Sequence, residues 1–170
     1  MNALKIKELI GINQELSDLQ KVFEESPGYF TLVNGALPRP TEAQSQVTIL
    51  PPGKNFDDKF VFGFFNNGSM IGCADIIRGH PDENIATIGL FLINEPNRKK
   101  GYGKYFFSKV EEKLRSWSKI QKIHITVTDT NSQVAPFLAK LGFDQKPAGN
   151  PGNGGENRDL RVYEKKLNGS

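Results

Sequence analysis

The residues best suited to chemistry lie in the middle of the chain, where a basic segment with two glycines precedes a predicted helix. The segment reads Arg98-Lys99-Lys100-Gly101-Tyr102-Gly103, and Lys104 follows it. The first turn of a helix presents N–H groups without intrahelical partners, together with the positive end of the helix dipole. Glycines let an anion approach the main chain, and Arg and Lys side chains add positive charge. The segment therefore predicts a phosphate or pyrophosphate site.

The spacing of this segment differs from that of two well-known phosphate loops. A G-x-G-x-x-G loop is excluded because Phe106 stands three residues after Gly103. A G-x-x-x-x-G-K-(S/T) loop is excluded because Tyr105 follows Lys104. Short glycine motifs also occur at ordinary solvated helix starts, so the surrounding elements must decide between the two interpretations.

The elements that must position the segment alternate between strands and helices. Apolar runs and period-2 patterns predict strands at residues 4–10, 60–65, 70–77, 85–93 and 122–128, and a final hairpin from Phe143 onward to residues 160–165. Helical spacing predicts helices at 14–25, 103–118 and 135–141, with a short helix possible at 41–46. Pro27-Gly28 is expected to end the first helix. The order predicts an α/β (α+β) protein with a mixed, mostly antiparallel central sheet flanked by helices.

Two parts of the sequence, taken together, resemble the GNAT N-acetyltransferase family. The first is the family signature (Q/R)-x-x-G-x-(G/A) between a long strand and a long helix, which here is Arg98 to Gly103. The second is a strand followed by Asn131 and then by a short helix that closes with Gly142-Phe143. The resemblance is specific over residues 85–145 and loose over residues 1–58. It implies a GNAT-like acyl-CoA N-acyltransferase fold.

The resemblance implies that acetyl-CoA binds as co-substrate. The pantetheine arm would contact Asn131 and pair with the main chain of Phe91 and Ile93, where two central strands separate. An acceptor amine, either a small molecule or a peptide amino group, would attack the thioester directly in a ternary complex. The CoA pyrophosphate would be held by the main-chain amides of Arg98, Lys99, Lys100, Gly101, Tyr102, Gly103 and Lys104.

The sequence does not assign the general acid or the general base. The family often places a Tyr acid five residues before the Phe of its Gly-Phe pair, and Leu138 stands there. Asp75, His80 and Glu83 are candidate bases, because a protonated amine must lose a proton before it attacks. Asp75 interrupts an apolar strand, which also fits the solvent face of that strand. His80 and Glu83 belong to a polar GHPDEN turn, whose composition is equally typical of an exposed loop.

One histidine stands apart from these candidates. His124 alternates with Ile123 and Ile125 in a predicted strand. That pattern is more typical of a histidine whose hydrogen bonds are satisfied within a sheet than of a catalytic base.

Composition limits the remaining possibilities. The 170 residues carry a formal net charge of +3, too mild to predict nucleic-acid binding. The sequence contains no apolar run long enough for a membrane span and no recognisable signal peptide. Cys73 is the single cysteine, which excludes an internal disulfide and a multi-cysteine zinc site. We therefore expect one cytoplasmic domain over residues 1–170, with no metal, no membrane and no nucleic-acid partner, and we leave a homodimer open.

Two other classes of function remain compatible with the sequence. A non-catalytic CoA-binding module would keep the fold without turnover, which the leucine at position 138 favours. A protein-interaction domain with the same fold would bind no CoA, and its basic glycine turn would be incidental. Binding of acetyl-CoA separates the second class from the others, and transfer to an amine separates the first from an enzyme.

Overall fold

The computed structural model describes residues 3–147 and 160–167. Its strands are β1 (Leu4–Glu8), β2 (Lys59–Asn66), β3 (Ser69–Arg78), β4 (Ile85–Ile93), β5 (Lys122–Thr128), β6 (Asp144–Gln145) and β7 (Leu160–Lys166). Its α-helices are α1 (Asn13–Glu24), α2 (Pro27–Asn34), α3 (Glu42–Thr48), α4 (Tyr102–Arg115) and α5 (Ala135–Lys140). Short 3₁₀ turns cover Phe56–Asp58, Glu95–Asn97 and Asp129–Val134.

The seven strands form one sheet in the order β1-β2-β3-β4-β5-β7-β6. All neighbouring strands are antiparallel except β4 and β5, which are parallel. The β2–β3 hairpin turns through Asn67 and Gly68, whose φ angles of 51° and 84° are those that an Asn-Gly hairpin turn supplies. The predicted mixed, mostly antiparallel sheet flanked by helices is confirmed.

Each face of the sheet is covered by its own set of helices. On one face, α4 and α5 pack in a core cluster with residues of β2 to β5 and β7. On the other face, α1, α2 and α3 pack in a second cluster with Cys73, Leu90 and Leu92 of β3 and β4. The helix α4 buries one apolar stripe at helical spacing, formed by Phe106, Phe107, Val110 and Leu114. Burial of these side chains against β4 and β5 fixes the start of α4 near the end of β4.

Pro27-Gly28 was predicted to end the first helix. Helix α1 does end just before this pair, but the pair also begins a second helix, α2, which was not predicted. α1 ends at Glu24, and α2 begins at Pro27 itself. Proline is tolerated at the first helical position because its fixed φ suits a helix and its missing N–H would have no partner there. Gly35 then ends α2 with a left-handed φ of 74°.

Several other boundaries differ from the predictions by one to three residues. β1 ends at Glu8 rather than at residue 10, and α4 ends at Arg115 rather than at residue 118. Trp117 therefore follows the helix, where its ring packs 4.6 Å from that of Phe60. Asn131 lies at a kink within the segment Asp129–Val134, where its φ and ψ angles are not helical. The predicted final hairpin is confirmed as β6 and β7, and its connecting residues 148–159 lie outside the described residues.

Candidate functional site

The two parallel strands at the centre of the sheet separate part of the way along their length. Their ladder joins residues 85–88 of β4 to residues 122–125 of β5 and ends at the pair Ile88 and Ile125. Both strands continue beyond that pair, β4 to Ile93 and β5 to Thr128. The sheet is therefore open between the carboxyl ends of β4 and β5.

A β-bulge in β4 lies at the point where the strands separate. Asp75 of β3 pairs with Leu90, whereas the next residue, Ile76, pairs with Ile88, so Gly89 is an extra residue in β4. Gly89 is exposed although Ile88 and Leu90 on either side are buried. A bulge bends its strand and interrupts the ladder locally, which accounts for the separation of β4 from β5 here.

The main chain of β4 beyond the bulge presents hydrogen-bonding groups to this opening. The Asn94 N–H donates a 2.8 Å hydrogen bond to the Ile71 carbonyl of β3. Because residues of an antiparallel strand alternate in direction, Leu92 then also bonds to β3, and Phe91 and Ile93 face away from it. The main-chain N–H and C=O groups of Phe91 and Ile93 therefore point toward the opening between β4 and β5.

The start of α4 lies beside the end of β4 and is shaped by two left-handed residues. Lys99 and Gly101 have φ angles of 62° and 83°. The N–H of Tyr105 donates to the Gly101 carbonyl, which makes residues 102–104 the first helical turn. Their N–H groups have no acceptor within the helix, so this turn suits an anion. The turn is supported from behind by Phe137 of α5, whose ring would lie 3.2 Å from a Cβ at Gly103.

The basic side chains of this segment divide into two groups. Lys99, Lys100 and Lys104 are exposed at the helix start. Arg98 instead turns back toward β4, and its Nε donates a 2.7 Å hydrogen bond to the Ile93 carbonyl. Partial burial lowers the pKa of Arg98, although the nearby Glu95 carboxylate opposes the shift. Arg98, which is also exposed, therefore braces the main chain through Nε, whereas the three lysines lie exposed around the helix start.

Asn131 lies on the other side of the opening, in the 3₁₀ turn that follows β5. It is half-buried, with φ −107° and ψ 31°. Helix α2 lies against this turn. The first turn of α2 is also tied to the end of β4, because the Gly28 N–H donates a 2.8 Å hydrogen bond to the Glu95 carboxylate. Helix α2 therefore spans from one side of the opening to the other on the face opposite α4.

Asp75, one of the candidate bases, is buried and already engaged. Its carboxylate forms an ion pair of 2.8 Å with Lys59 and accepts a hydrogen bond from Gln46 of α3. Burial raises the pKa of Asp75, although the charge and hydrogen bond of Lys59 and the hydrogen bond of Gln46 oppose the rise. In the folded protein this carboxylate is thus occupied by Lys59 and Gln46 rather than open to an acceptor.

The other two candidates lie at the opposite end of β4 from the helix start. His80 and Glu83 precede the strand, and residues 85–88 separate them from the bulge. Burial and the charge of Lys54 lower the pKa of His80, and Asp82 opposes the shift. Glu83 is exposed. The main chain of His80 is held beside β4, because the Thr87 hydroxyl donates a hydrogen bond to the His80 carbonyl. Among the described residues, no hydrogen bond or ion pair joins the side chain of His80 or Glu83 to Asp75.

The position that the resemblance reserves for a tyrosine acid belongs to the core. Leu138 is only 4% exposed and packs with the cluster that contains Phe106 and Phe107. It supplies no proton, so a departing thiolate at the opening would need another proton source.

The sheet pairs two ionisable residues: His124, whose sequence pattern favours a histidine with satisfied hydrogen bonds, and Glu164, which the sequence did not single out. His124 of β5 lies directly opposite Glu164 of β7, and its Nε2 is 2.7 Å from Glu164 Oε2. Lys146 and Lys122 approach the same oxygen at 3.4 and 3.9 Å. Burial alone would raise the pKa of Glu164, but the hydrogen bond to His124 and the two lysine charges outweigh it and lower that pKa. The only available signal was that both residues occur in strands.

Within residues 3–147 and 160–167, no three His, Cys, Asp or Glu side chains converge as possible metal ligands. None of the helices in that part of the chain is long and apolar enough to cross a membrane.

The architecture, with a glycine-containing helix start beside two diverging parallel strands, is that of the acyl-CoA N-acyltransferases. The sequence matches the acetyltransferase (GNAT) family over residues 19–143, and the chain belongs to that family. Membership supports acyl transfer from acyl-CoA. A search of curated protein sequences gave no match.

Solved structures show the same fold. An acetyltransferase from Thermus thermophilus is similar with 23% identity and a TM-score of 0.77, covering 98% of this chain and 99% of that chain. The PaiA N-acetyltransferase from Thermoplasma acidophilum, in complex with coenzyme A, has 18% identity and a TM-score of 0.66, with coverages of 96% and 99%. The ribosomal-protein-S18-alanine N-acetyltransferase from Escherichia coli has 12% identity and a TM-score of 0.67, with coverages of 98% and 94%.

Proposed function

We propose that this protein transfers an acetyl group from acetyl-CoA to an amine, acting as a single cytoplasmic domain. The observation that carries the proposal is the opening between β4 and β5, which runs from the helix start at Gly101 to the bulge at Gly89. An opening bounded by main-chain groups along its length and by anion-binding amides at one end fits a long, phosphorylated thioester.

The proposed position of acetyl-CoA follows from these groups. The pyrophosphate lies on the N–H groups of residues 98–104, with the exposed lysines 99, 100 and 104 around it. The pantetheine arm pairs with the main chain of Phe91 and Ile93 on one side and contacts Asn131 on the other. The thioester then reaches the bulge at Gly89, where β4 and β5 begin to separate.

The acceptor approaches from the face covered by α1 to α3. Helix α2 lies across the opening on that face, and α1, α2 and α3 surround Leu90 and Leu92 there. The amine nitrogen attacks the thioester carbonyl carbon directly, the C–N bond forms and the C–S bond breaks. Cys73 takes no part because it is fully buried, and burial holds the pKa of its thiol well above the ordinary value. The acceptor is a small amine or a peptide amino group.

Thermal unfolding with and without acetyl-CoA tests the cofactor directly. A ligand at about 100 times its Kd adds roughly 2.7 kcal/mol to the free energy of unfolding. For a chain of this length we expect a rise in Tm of several degrees. Free-thiol release is then measured with a panel of small amines and of peptides bearing a free amino terminus. Thiol release that depends on one of these acceptors supports the proposal.

A non-catalytic CoA-binding module is the second candidate, favoured by one observation. Leu138 occupies the position of the family's tyrosine acid and is packed into the core. Under this alternative acetyl-CoA raises Tm, but no acceptor of either class causes thiol release. If acetyl-CoA does not raise Tm at millimolar concentration, both CoA-based functions are wrong and a protein-interaction role is favoured.

A further inference from the structure

We propose that His124 is the general base that deprotonates the acceptor amine and that Glu164 is its positioning residue. This inference rests on the proposed acetyltransferase function. It assigns the proton acceptor to a residue pair that the strand register brings together, in place of the candidates Asp75, His80 and Glu83.

The first argument is the face of the sheet on which His124 lies. Its neighbours Ile123 and Ile125 are buried in the cluster formed with α4 and α5. Successive side chains of a strand point to opposite faces, so the imidazole lies on the face of α1 to α3. That is the face from which the acceptor is proposed to approach. The proposed pyrophosphate site lies at the start of α4, on the other face of the sheet.

The second argument is the distance along the strand from the point where β4 and β5 separate. His124 lies opposite Thr87 in the parallel ladder, and the last pair before the opening is Ile88 with Ile125. One residue of a strand advances about 3.3 Å. The imidazole therefore projects from the sheet one residue before the last ladder pair and two residues before Gly89, the point proposed for the thioester.

The third argument is the protonation of the imidazole ring. Glu164 is ionised because its pKa is lowered, and a carboxylate only accepts hydrogen bonds. Nε2 of His124, 2.7 Å away, must therefore carry a proton. In a neutral imidazole the other nitrogen, Nδ1, then has a free lone pair. Within the described part of the chain Nδ1 has no hydrogen-bond partner, so it can accept a proton.

The fourth argument is the direction of that nitrogen. The two ring nitrogens flank Cε1 and their outward directions diverge, and Nε2 points toward Glu164 of β7. In the sheet order β5 lies between β7 and β4. Nδ1 therefore does not face Glu164, and we infer that it faces the β4 side of β5, where the opening lies. Lys122 and Lys146 both approach Glu164 and hold it in place.

The proposed step balances as follows. The acceptor ammonium gives one proton to His124 Nδ1, which forms the imidazolium that Glu164 stabilises. The neutral amine attacks the thioester carbon to form a tetrahedral intermediate, which expels the CoA sulfur. The second proton of the attacking nitrogen goes to the departing sulfur, giving amide and free thiol. The imidazolium then returns its proton to water, and no further reactant is needed.

The decisive variant is His124→Gln, because glutamine can still donate a hydrogen bond to Glu164 but cannot act as a base. We expect a loss of roughly 10²-fold in kcat, within the usual range for general base catalysis, with the acetyl-CoA shift in Tm unchanged. An acceptor that is already neutral at the assay pH, such as a weakly basic alkoxyamine, should restore the rate. Glu164→Gln should lower kcat less than His124→Gln does. It should also shift the acidic limb of the profile of kcat against pH.

The chain has two histidines, so His80→Gln is the matched comparison. Loss of rate in His80→Gln with full rate in His124→Gln would overturn the proposal. So would an equal loss of rate with strongly and weakly basic acceptors. Absence of transfer by the unmodified protein would overturn the proposed function, and this role with it.

Imidazole ¹⁵N NMR provides a readout that does not depend on turnover. The His124 signals are identified by their loss in His124→Gln, and we expect Nε2 to carry a proton. Glu164→Gln should shift these signals while leaving those of His80 in place. A ring protonated at Nδ1 would contradict the assignment of the proton acceptor even if the protein transfers acetyl groups.

Discussion

The guanidinium of Arg98 is hydrogen-bonded to the main-chain carbonyl of Ile93, five residues earlier, at 2.7 Å. One basic residue of the helix-start segment thus holds the end of β4 through a hydrogen bond to its main chain. The carbonyl that it holds is one of those we assign to the pantetheine arm. The pyrophosphate end and the pantetheine side of the proposed site are therefore mechanically linked through a single side chain.

Replacing Arg98 tests this link. Arg98→Met keeps most of the apolar stem and removes the hydrogen bond, so we expect the free energy of unfolding to fall by about 1 kcal/mol. Lys99→Met removes the same charge from an exposed neighbour and should leave stability unchanged. Urea unfolding compares the two, and calorimetry with CoA should show weaker binding for both. Equal stability of the two variants would contradict a bracing role for Arg98.

The glycine at the start of α4 tests the anion site. Gly101→Glu places a carboxylate beside the proposed pyrophosphate and should abolish the increase in Tm with acetyl-CoA. Gly53→Glu is a matched control, because Gly53 has φ +81° against +83° for Gly101 and a Cβ at either position would meet no atom within 4 Å. Both variants carry the same backbone strain and charge. If Gly101→Glu keeps the affinity of the control by calorimetry, the pyrophosphate lies elsewhere.

Asn131 tests the far side of the opening. Asn131→Ala should weaken acetyl-CoA about fivefold, the effect of losing roughly one neutral hydrogen bond. Ser132→Ala changes the adjacent exposed residue of the same turn and should leave Kd unchanged. Isothermal titration of both variants measures the difference. An unchanged Kd in Asn131→Ala would remove Asn131 from the pantetheine contacts.

The ion pair between Lys59 and Asp75 predicts a pH-dependent stability. Lys59→Met leaves a buried carboxylate without its partner and should lower the free energy of unfolding by about 3 kcal/mol at pH 7.5. Burial already raises the pKa of Asp75, so the folded protein binds more protons than the unfolded chain as pH falls. Stability attributable to Asp75 therefore falls as pH rises and returns as pH is lowered.

The loss in Lys59→Met should accordingly shrink between pH 7.5 and pH 5, measured by urea unfolding. Lys109→Met, which breaks a partly exposed pair with Glu112 on α4, should cost less than about 1 kcal/mol at either pH. A deficit in Lys59→Met that grows on acidification would show that the pKa of Asp75 is not raised by burial.

The parts of the fold that the sequence predicted are those whose pattern repeats locally. The apolar stripe of α4 and the Asn67-Gly68 hairpin turn each specify one local structure without reference to the rest of the chain. The family signature at Arg98 to Gly103 is also local, since a helix start needs only its own residues. These elements, together with the mixed sheet, are confirmed.

The features that the sequence did not reveal depend on contacts between distant segments. Pro27-Gly28 is a stop signal for α1, and only packing against the 3₁₀ turn after β5 shows that it also starts α2. The pairing of His124 with Glu164 exists only once β7 lies beside β5 in one register. A one-residue slip would have placed Glu164 on the other face of the sheet.

The bulge at Gly89 leaves the inside-outside pattern of β4 unbroken when that one residue is skipped. Ala86, Ile88, Phe91 and Ile93 all pack in the cluster with α4, while Leu90 and Leu92 pack with α1 to α3. Without Gly89 these residues would alternate as in a regular eight-residue strand. One extra residue therefore changes the path of the β4 main chain and opens the sheet without moving any of these side chains to the opposite core.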